Sequence, residues 1–324
     1  MDYRDLHLPQ ENIDKPLLGQ LSGIKPKPIF IVGLHRSGTT ILYKLISEMI
    51  GIPALDVYHI LYYERLLNDF KCDESGSNRK KLDDFFFANG MATRVMDNIS
   101  LSSTTVEEYG WLLKKHAGDM KLTHRTANFF SELCAKLQLI NNPAGPVLFK
   151  NPWDTRNVKE ISQLYPDAKF IYIKRNPLAI LNSQYSNAIH YGKEIDPFLD
   201  LLIKDIWSGK AIIGSQRLMY RLTGEKRYKK IMLSLLKKDV AVEMGYYQFG
   251  YDEISADRKI QISYEDFVDS PKYIIKKIAE FLELNIVGDL ESVEMTPRKQ
   301  TNKPEVEAVS AKLSNLIAKL ASNR

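Results

Sequence analysis

The stretch PIFIVGLHRSGTT, residues 28–40, decides the fold class. Its four apolar residues IFIV run into Gly33, and a short loop then leads to Gly38. The segment ILYKLISEMI follows at 41–50, and its apolar periodicity predicts a helix. A buried strand, a tight loop and a helix start in this order direct backbone N–H groups towards an anion, because the first N–H groups of a helix have no partner within it. The stretch therefore predicts a phosphate-binding loop.

This loop differs from the Walker A loop of ATP- and GTP-binding proteins, which reads G-x-x-x-x-G-K-[ST]. Gly33 and Gly38 keep the glycine spacing, but Thr39 occupies the lysine position and Arg36 lies three residues earlier. The loop therefore lacks the cation that reaches the β- and γ-phosphates of ATP. No apolar strand ends in a clear Walker B aspartate either. A P-loop kinase or other NTPase is disfavoured on both grounds and remains the alternative.

Further strands are predicted at 146–150, 168–174 and 258–264, and more weakly at 52–57. The strongest, including the one at 28–33, are continuous apolar runs, which are typical of strands covered on both faces in a parallel sheet. Helical patterns separate them, and this alternation indicates βαβ units. We therefore predict an α/β fold with a doubly wound, mostly parallel sheet flanked by helices, similar to that of P-loop NTPases.

The chain is predicted to form one domain, residues 28–324, after an extended leader at 1–27. Two insertions, at about 58–145 and about 196–250, read as mostly helical. Both leave the sheet and return to it, so we interpret them as excursions from one domain.

Composition sets further limits on the class of protein. The 324 residues are 44% hydrophobic and 26% charged, as in globular proteins. The net charge of +5 suits an anionic cofactor or acceptor but is too small to indicate nucleic acid. Two cysteines, Cys72 and Cys134, give no disulfide framework, and no metal-ligand spacing occurs. The polar start and the lack of an apolar run of about 18 residues lead us to expect no membrane span and a cytoplasmic location. The oligomeric state is left open.

A second anion site is predicted after the strand AKFIYIK. Arg175 lies at the carboxyl end of this strand, and Ser183 follows eight residues later in a predicted helix. Ligands of open α/β sheets bind outside the carboxyl ends of the strands, so a guanidinium fork and a hydroxyl at this place suit an anionic group. A nucleotide with phosphates at both its 5′ and 3′ ends would need two such sites in one sheet.

The order of these blocks resembles that of sulfotransferases that use 3′-phosphoadenosine 5′-phosphosulfate (PAPS), in particular their bacterial and Golgi-type branches. The resemblance covers residues 28 to about 285. It rests on five features, which are RSGTT at 36–40, FKNPWD at 149–154, LYPDAKFIYIKRNP at 164–177, the pair Arg175 and Ser183, and ISYEDFVDSP at 262–271. The missing Walker lysine then has an explanation, because the family's loop binds a phosphosulfate.

The resemblance implies that PAPS is the sulfuryl donor and that the reaction needs no metal. Arg36 would contact the bridging and 5′-phosphate oxygens. Backbone N–H groups of Ser37, Gly38, Thr39 and Thr40 would hold the 5′-phosphate at the helix start, and the two threonine hydroxyls would add donors.

The resemblance also assigns the other end of the nucleotide. Arg175 and Ser183 would bind the 3′-phosphate, and Tyr264, from the YED segment, would lie near the adenine. Lys150 aligns with the family lysine that reaches the sulfuryl group, where an ammonium can follow charge that develops on the bridging oxygen.

The general base is the least defined residue. Cytosolic relatives carry a histidine where this chain has Pro152, and other branches often have one at the position of Asp154. Tyrosylprotein sulfotransferases instead use a glutamate shortly after the second strand, where this chain reads ALDVYHILYYE and offers Asp56, His59 and Glu64. We predict His59 as the base, because a neutral imidazole can accept a proton near neutral pH and Asp56 could orient it. Asp154 is the next candidate.

The predicted reaction is transfer of the sulfuryl group to a hydroxyl or amine of a small molecule, saccharide or lipid. Basic residues at 204–230 favour an anionic or glycan-like acceptor, although a solvated helix face would carry the same charges. A non-catalytic relative that keeps the nucleotide site is a further alternative, because Pro152 and Asp154 depart from the family. Arg36 and Lys150 argue against it.

Overall fold

Four strands form one parallel sheet in a computed structural model that describes residues 6, 8–9, 11–94, 99–194, 196–295 and 301–322. The strand order is β2-β1-β3-β4, which confirms the predicted mostly parallel sheet. The strands are β1 (Pro28–Val32), β2 (Val147–Lys150), β3 (Lys169–Lys174) and β4 (Lys259–Ser263).

Helices connect and cover these strands. The α-helices are α1 (Thr39–Ile50), α2 (Val57–Leu61), α3 (Leu66–Lys71), α4 (Ser75–Ala88), α5 (Gly110–Ala117), α6 (Ala127–Asn141), α7 (Val158–Leu164), α8 (Pro177–Lys193), α9 (Pro197–Leu202), α10 (Trp207–Glu253), α11 (Tyr264–Asp269), α12 (Pro271–Leu282), α13 (Pro304–Glu307) and α14 (Ser310–Ser322). Short 3₁₀ helices occur at Lys15–Leu21, Tyr63–Arg65, Pro152–Arg156, Ala256–Arg258 and Leu290–Ser292.

Both faces of the central strand β1 are covered, as its apolar run predicts. Phe30 and Val32 belong to one buried cluster, whereas Ile29 and Ile31 belong to another on the opposite face. Helices α1 and α12 bury residues such as Ile46 against the second cluster, and α6 and α8 contribute to the first. The α/β fold with helices on both faces of the sheet is thereby confirmed.

The weak strand predicted at 52–57 is wrong. Ala54 makes only an isolated parallel bridge with Leu148, and Asp56 makes an antiparallel one with Val106. The chain turns at Asp56 because this residue is the N-cap of α2, so the segment ends its contact with the sheet after a few residues.

Within the segment 1–27, which we predicted to be extended, Lys15–Leu21 forms a 3₁₀ helix. Asp14 just before it is fully buried, and its carboxylate lies 2.9 Å from Nζ of Lys136 on α6. The division into a leader and a domain at 28–324 remains a prediction.

The later insertion consists of α9 and the long helix α10, which is broken at Gly224 (φ 70°, ψ 161°). None of the helices in the described ranges combines the length and the apolar composition needed to cross a bilayer. The cytoplasmic location remains a prediction.

Candidate functional site

The strand order places a crevice at the carboxyl ends of β1 and β3. The connection after β1 leads to β2 on one side, whereas β3 is followed by β4 on the other side. The chain thus leaves β1 and β3 towards opposite sides of the sheet, so the loops after these two neighbouring strands diverge. Ligands of open α/β sheets bind in the crevice between two such loops. The predicted phosphate loop follows β1 and Arg175 follows β3, so both predicted anion sites lie at this crevice.

The loop after β1 is closely packed around its glycines. A Cβ on Gly33 would lie 2.6 Å from Oγ of Ser37 and 2.8 Å from Cγ2 of Ile173, so a larger residue does not fit there. Ser37 closes the turn, since its N–H and its hydroxyl both donate to the Leu34 carbonyl, at 3.0 and 2.7 Å. Gly38 has φ 97° and is the N-cap of α1, and no described side chain caps the helix start. The first N–H groups of α1 are therefore left for an anion.

The structure brings the predicted phosphate-binding side chains together. Nε of Arg36 donates to Oγ of Ser183 at 2.9 Å, and Nη1 of Arg175 donates to the Arg36 carbonyl at 2.8 Å. The Arg175 guanidinium also lies 4.1 Å from the centre of the Tyr264 ring, which in turn packs against Gly38. Two guanidinium groups, a hydroxyl and an aromatic ring thus converge beside an uncapped helix start.

Lys150 faces this loop from the end of β2. Its Nζ lies 3.2 Å from Oγ1 of Thr40 and 2.7 Å from Oε1 of Glu108. Burial would raise the pKa of Glu108, but the charges of Lys150, His35 and Arg94 outweigh it and hold that pKa below its usual value. The Glu108 carboxylate is therefore ionised near neutral pH.

A small cavity lies between the phosphate loop and Glu108. It has a volume of about 50 Å³, and its walls include Arg36, Thr40 and Glu108 together with the apolar side chains of Trp111, Phe198 and Leu202. The cavity is much smaller than the roughly 300–1,000 Å³ of a typical ligand pocket. Helix α9 contributes Phe198, Leu199 and Leu202 to its wall.

His59 lies at a different place. Its backbone N–H donates to Oδ1 of Asp56 at 2.9 Å, and its Nδ1 accepts from the Asp56 N–H at 3.2 Å. This is a capping box at the start of α2, and Asp56 is also paired with Arg79 at 2.7 Å. His59 lines a cavity of about 650 Å³, and no described residue lines both this cavity and that of Arg36. The predicted base is thus not among the groups that meet at Lys150.

The other candidates for the base are also engaged elsewhere. The buried Asp154 carboxylate accepts hydrogen bonds from the Tyr109 hydroxyl, from the Leu122 N–H at 2.8 Å and from Nδ2 of Asn151 at 2.8 Å. Burial raises the pKa of Asp154 to about 7. Glu64 is paired with Lys115 at 3.2 Å. Neither carboxylate lines the cavity that Arg36 and Glu108 share.

Glu108 was not singled out in the sequence analysis, although it contacts Lys150 in the structure. It lies in an irregular segment between the bridge at Val106 and the start of α5, at a distance of 42 residues from Lys150. No local pattern marks it. Among the described residues, no cluster of His, Cys, Asp and Glu side chains is arranged as a metal site.

Comparison with known proteins agrees with this geometry. The sequence model of the sulfotransferase family matches residues 28–288. Two curated proteins, the omega-hydroxy-beta-dihydromenaquinone-9 sulfotransferases Stf3 of Mycobacterium bovis and Mycobacterium tuberculosis, are each 23% identical over 290 residues. The match covers 83% of this chain and 65% of each relative, so the chain spans just under two thirds of their length.

Solved structures give the same fold. Sulfotransferase STF1 from Mycobacterium tuberculosis has a TM-score of 0.60 at 14% identity, covering 94% of this chain and 80% of that chain. Sulfotransferase STF9 from Mycobacterium avium has a TM-score of 0.53 at 15% identity, covering 94% and 71%. The family resemblance drawn from the sequence is confirmed by the family match, and the fold is confirmed by these structures.

Proposed function

The chain belongs to the sulfotransferase family, and we propose that it transfers the sulfuryl group of PAPS to a hydroxyl or amine of a small-molecule, saccharide or lipid acceptor. One observation carries the proposal. The loop at 36–40 and the pair Arg175 and Ser183 meet at one crevice, and the Lys150–Glu108 pair lies beside the loop. Two anion sites and a neighbouring cation–carboxylate pair are what a nucleotide with 5′ and 3′ phosphates and a transferable anion requires.

The residues present fit such a donor. The uncapped start of α1 suits the 5′-phosphate, and Arg36 adds a cation there. Arg175 and Ser183 suit the 3′-phosphate, because a planar guanidinium binds two phosphate oxygens at once. Tyr264 packs against both Arg175 and Gly38 and offers a ring face for the adenine. PAPS supplies a sulfuryl group bound to a phosphate oxygen that can leave.

Glu108 is the base in this proposal, in place of His59. It accepts the proton of the acceptor hydroxyl or amine as the new bond to sulfur forms and the bond from sulfur to the phosphate oxygen breaks. The nucleotide product is adenosine 3′,5′-bisphosphate, and Arg36 and Lys150 stabilise the charge that develops on its leaving oxygen.

Lys150 changes its partner in the course of the reaction. In this structure its ammonium is paired with Glu108, and only 2% of its side chain is exposed. The negative charge of the donor competes with Glu108 for this ammonium. When the Lys150 side chain turns towards the sulfuryl group, Glu108 loses the main charge that lowers its pKa. The carboxylate becomes a stronger base when the donor is bound, which couples proton transfer to occupancy of the nucleotide site.

The acceptor is proposed to have an apolar body. Next to Glu108, the walls are Trp111, Phe198, Leu199 and Leu202. Trp111 and Leu202 also line a second cavity of about 280 Å³, so the two cavities adjoin at these side chains. The names of the two curated relatives specify a hydroxylated menaquinone derivative, and an alcohol with an apolar body suits the present chain as well. In this proposal helix α9 moves to admit the acceptor, because the inner cavity of about 50 Å³ is small for a ligand pocket and α9 forms part of its wall.

Calorimetric titration with adenosine 3′,5′-bisphosphate, AMP and Mg-ATP tests the donor class. We expect the bisphosphate to bind at least about tenfold more tightly than AMP, since the 3′-phosphate adds charge-assisted hydrogen bonds to Arg175. Preference for Mg-ATP would instead support a P-loop kinase or NTPase. Equal affinity for bisphosphate and AMP would refute the assignment of the 3′-phosphate site.

A further inference from the structure

The first half of α10 presents an exposed apolar stripe. The side chains of Trp207, Leu218 and Leu222 are 83%, 56% and 76% exposed. Leu218 and Leu222 follow Trp207 by 11 and 15 residues, three and about four turns of a helix, so all three lie on one face. We call these three residues the outer stripe of α10.

Basic side chains run along the outer stripe. The exposed Lys210 and Arg221 lie together on one flank of it, by the same helical spacing. Arg217 has a similar angular position, but its Nη2 donates to the Glu194 carbonyl at 3.3 Å, so it faces the protein body. The segment 204–230 contains eight Lys or Arg and two Asp or Glu, a net charge of +6, whereas the whole chain carries +5. The remainder of the molecule is therefore close to neutral, and the excess positive charge is concentrated around this helix.

The opposite face of α10 is fixed to the protein body. Tyr228 is fully buried, and its hydroxyl donates to the Ala188 carbonyl on α8 at 2.9 Å. Met219, Tyr220 and Leu236 pack around the same small cluster. Tyr228 and Leu236 lie after the break at Gly224, so the part of α10 that carries the outer stripe is held to the protein body by Met219, by Tyr220 and by the hydrogen bond from Arg217 to the Glu194 carbonyl.

The outer stripe begins next to the proposed acceptor path. Lys204 and Asp205, directly before α10, line the second cavity together with Trp111 and Leu202. Trp207 follows Asp205 by two residues. An object that covers the outer stripe therefore lies close to the mouth of that cavity.

We propose that the outer stripe of α10 docks on the surface of a membrane that contains anionic lipids, with the helix in the plane of the interface. Trp and Leu side chains suit the boundary between headgroups and acyl chains, and neighbouring Lys and Arg side chains bind lipid phosphates. A second copy of this chain is a poorer partner, because the basic flanks of two such segments, each of net charge +6 over 204–230, repel each other. A neutral apolar partner leaves the basic flank without a function.

Docking is independent of the proposed donor chemistry, since none of the stripe residues contacts the Arg36 cavity. It does have a consequence for that chemistry. A lipid alcohol in the membrane would reach the second cavity without passing through water. The reason is that Lys204 and Asp205, between α9 and α10, line this cavity and directly precede the stripe.

Sedimentation of the full chain with lipid vesicles tests the proposal. We expect binding to vesicles of phosphatidylcholine and phosphatidylglycerol that is at least about tenfold tighter than binding to phosphatidylcholine alone, and that weakens as salt rises. The variant Leu218→Ser/Leu222→Ser should lose about tenfold or more in affinity for the anionic vesicles, and Lys210→Gln/Arg221→Gln a similar factor. Phe87→Ser is the matched control, because Phe87 on α4 is 90% exposed but lies outside the stripe.

Circular dichroism of each variant separates loss of docking from loss of fold. Absence of binding to anionic vesicles, equal binding to neutral and anionic vesicles, or an equal loss in Phe87→Ser would overturn the proposal. So would a dimer of the native chain that dissociates in Leu218→Ser/Leu222→Ser without vesicle binding, since the stripe would then join two copies. None of these results affects the titration with adenosine 3′,5′-bisphosphate, so failure of docking and failure of the donor assignment are distinguishable.

Discussion

Replacement of Glu108 by glutamine tests the proposed base. The amide has nearly the same shape, and its oxygen can still accept a hydrogen bond from Lys150, but it cannot take a proton. The carboxylate is 2.7 Å from Nζ of Lys150 and contributes to the wall of the Arg36 cavity. The substitution therefore removes proton acceptance and leaves most of the packing unchanged.

The expected loss follows from what a positioned base contributes. Removal of a general base lowers turnover by about 10² to 10⁴-fold, which corresponds to about 3–5 kcal/mol in the barrier. Affinity for adenosine 3′,5′-bisphosphate should stay within about twofold, because Glu108 is hydrogen-bonded to Lys150 rather than to Arg36 or Arg175. The assay is acceptor-dependent release of bisphosphate from saturating PAPS, with the affinity measured separately by calorimetry.

The pH profile gives an independent check. The value of kcat/KM for PAPS reports the free enzyme. It requires ionised Glu108, so it falls when the pH drops through the pKa of this carboxyl, which lies below its usual value in the free enzyme. The substitution Lys150→Met removes the main lowering charge and leaves burial, which raises the pKa. The acid limb of the residual activity should therefore move to higher pH in this variant.

His59→Gln is the control, because His59 was the base predicted from the sequence. We expect turnover within about threefold of the native value once the variant is shown by circular dichroism to be folded. If His59→Gln loses about a hundredfold while Glu108→Gln keeps native turnover, the choice of Glu108 is wrong.

Three further predictions concern the donor site and the buried charges. Arg175→Ala should weaken the binding of adenosine 3′,5′-bisphosphate by about 10- to 150-fold but that of AMP by far less. The reason is that about 1.5–3 kcal/mol of charge-assisted hydrogen bonding is lost at the 3′-phosphate. Equal losses of affinity in calorimetry would contradict the assignment of this site. Gly38→Ala should weaken the bisphosphate about tenfold, because φ 97° and the adjacent Tyr264 ring both exclude a Cβ, and unchanged binding would show that the loop adapts. Lys136→Met should cost about 3–5 kcal/mol in urea unfolding, because it leaves Asp14 buried without its cation, and Asp14→Asn/Lys136→Met should recover part of this loss. A loss below about 1 kcal/mol would mean that the two backbone N–H groups on the Asp14 carboxylate are enough.

The sheet could be predicted because its central strands are apolar on both faces. The ring of Phe30 in β1 lies 5.5 Å from that of Phe170 in β3 and 6.4 Å from that of Phe149 in β2. Each of these residues lies within an uninterrupted apolar run, which only strands covered on both sides tolerate. The segment 52–57 lacks this continuity, because Pro53 has no N–H for a sheet ladder and Asp56 starts a helix.

The residues of the proposed donor site could be chosen from the sequence, but the contacts between them could not. Spacing alone indicates that Arg175 and Ser183 follow the same strand. Only the folded chain shows that Arg36 binds Ser183 and that Arg175 binds the Arg36 carbonyl, since these contacts span 147 and 139 residues. Local patterns carry no information about such distances.

The catalytic base is the part of the site for which the sequence pattern is ambiguous, and His59 as base remains a prediction, because two functions share one pattern. Asp56 followed by His59 three residues later was interpreted as an acid–base pair, yet the same spacing is that of a helix capping box, which is what the structure contains. Glu108 differs from His59, because no pattern in the sequence around it distinguishes it from a surface glutamate. Its position against Lys150 results from the return of an irregular segment to the end of β2.

Transfer of labelled sulfur tests the central claim most directly. The full chain is incubated with radiosulfur-labelled PAPS and a mixture of lipid, phenolic and saccharide alcohols, and label in the organic products is measured together with released adenosine 3′,5′-bisphosphate. Our account predicts that label passes to an alcohol with an apolar body in step with bisphosphate release, and that Glu108→Gln abolishes nearly all of this transfer. Tight binding of the bisphosphate without any transfer of label to an acceptor would contradict it.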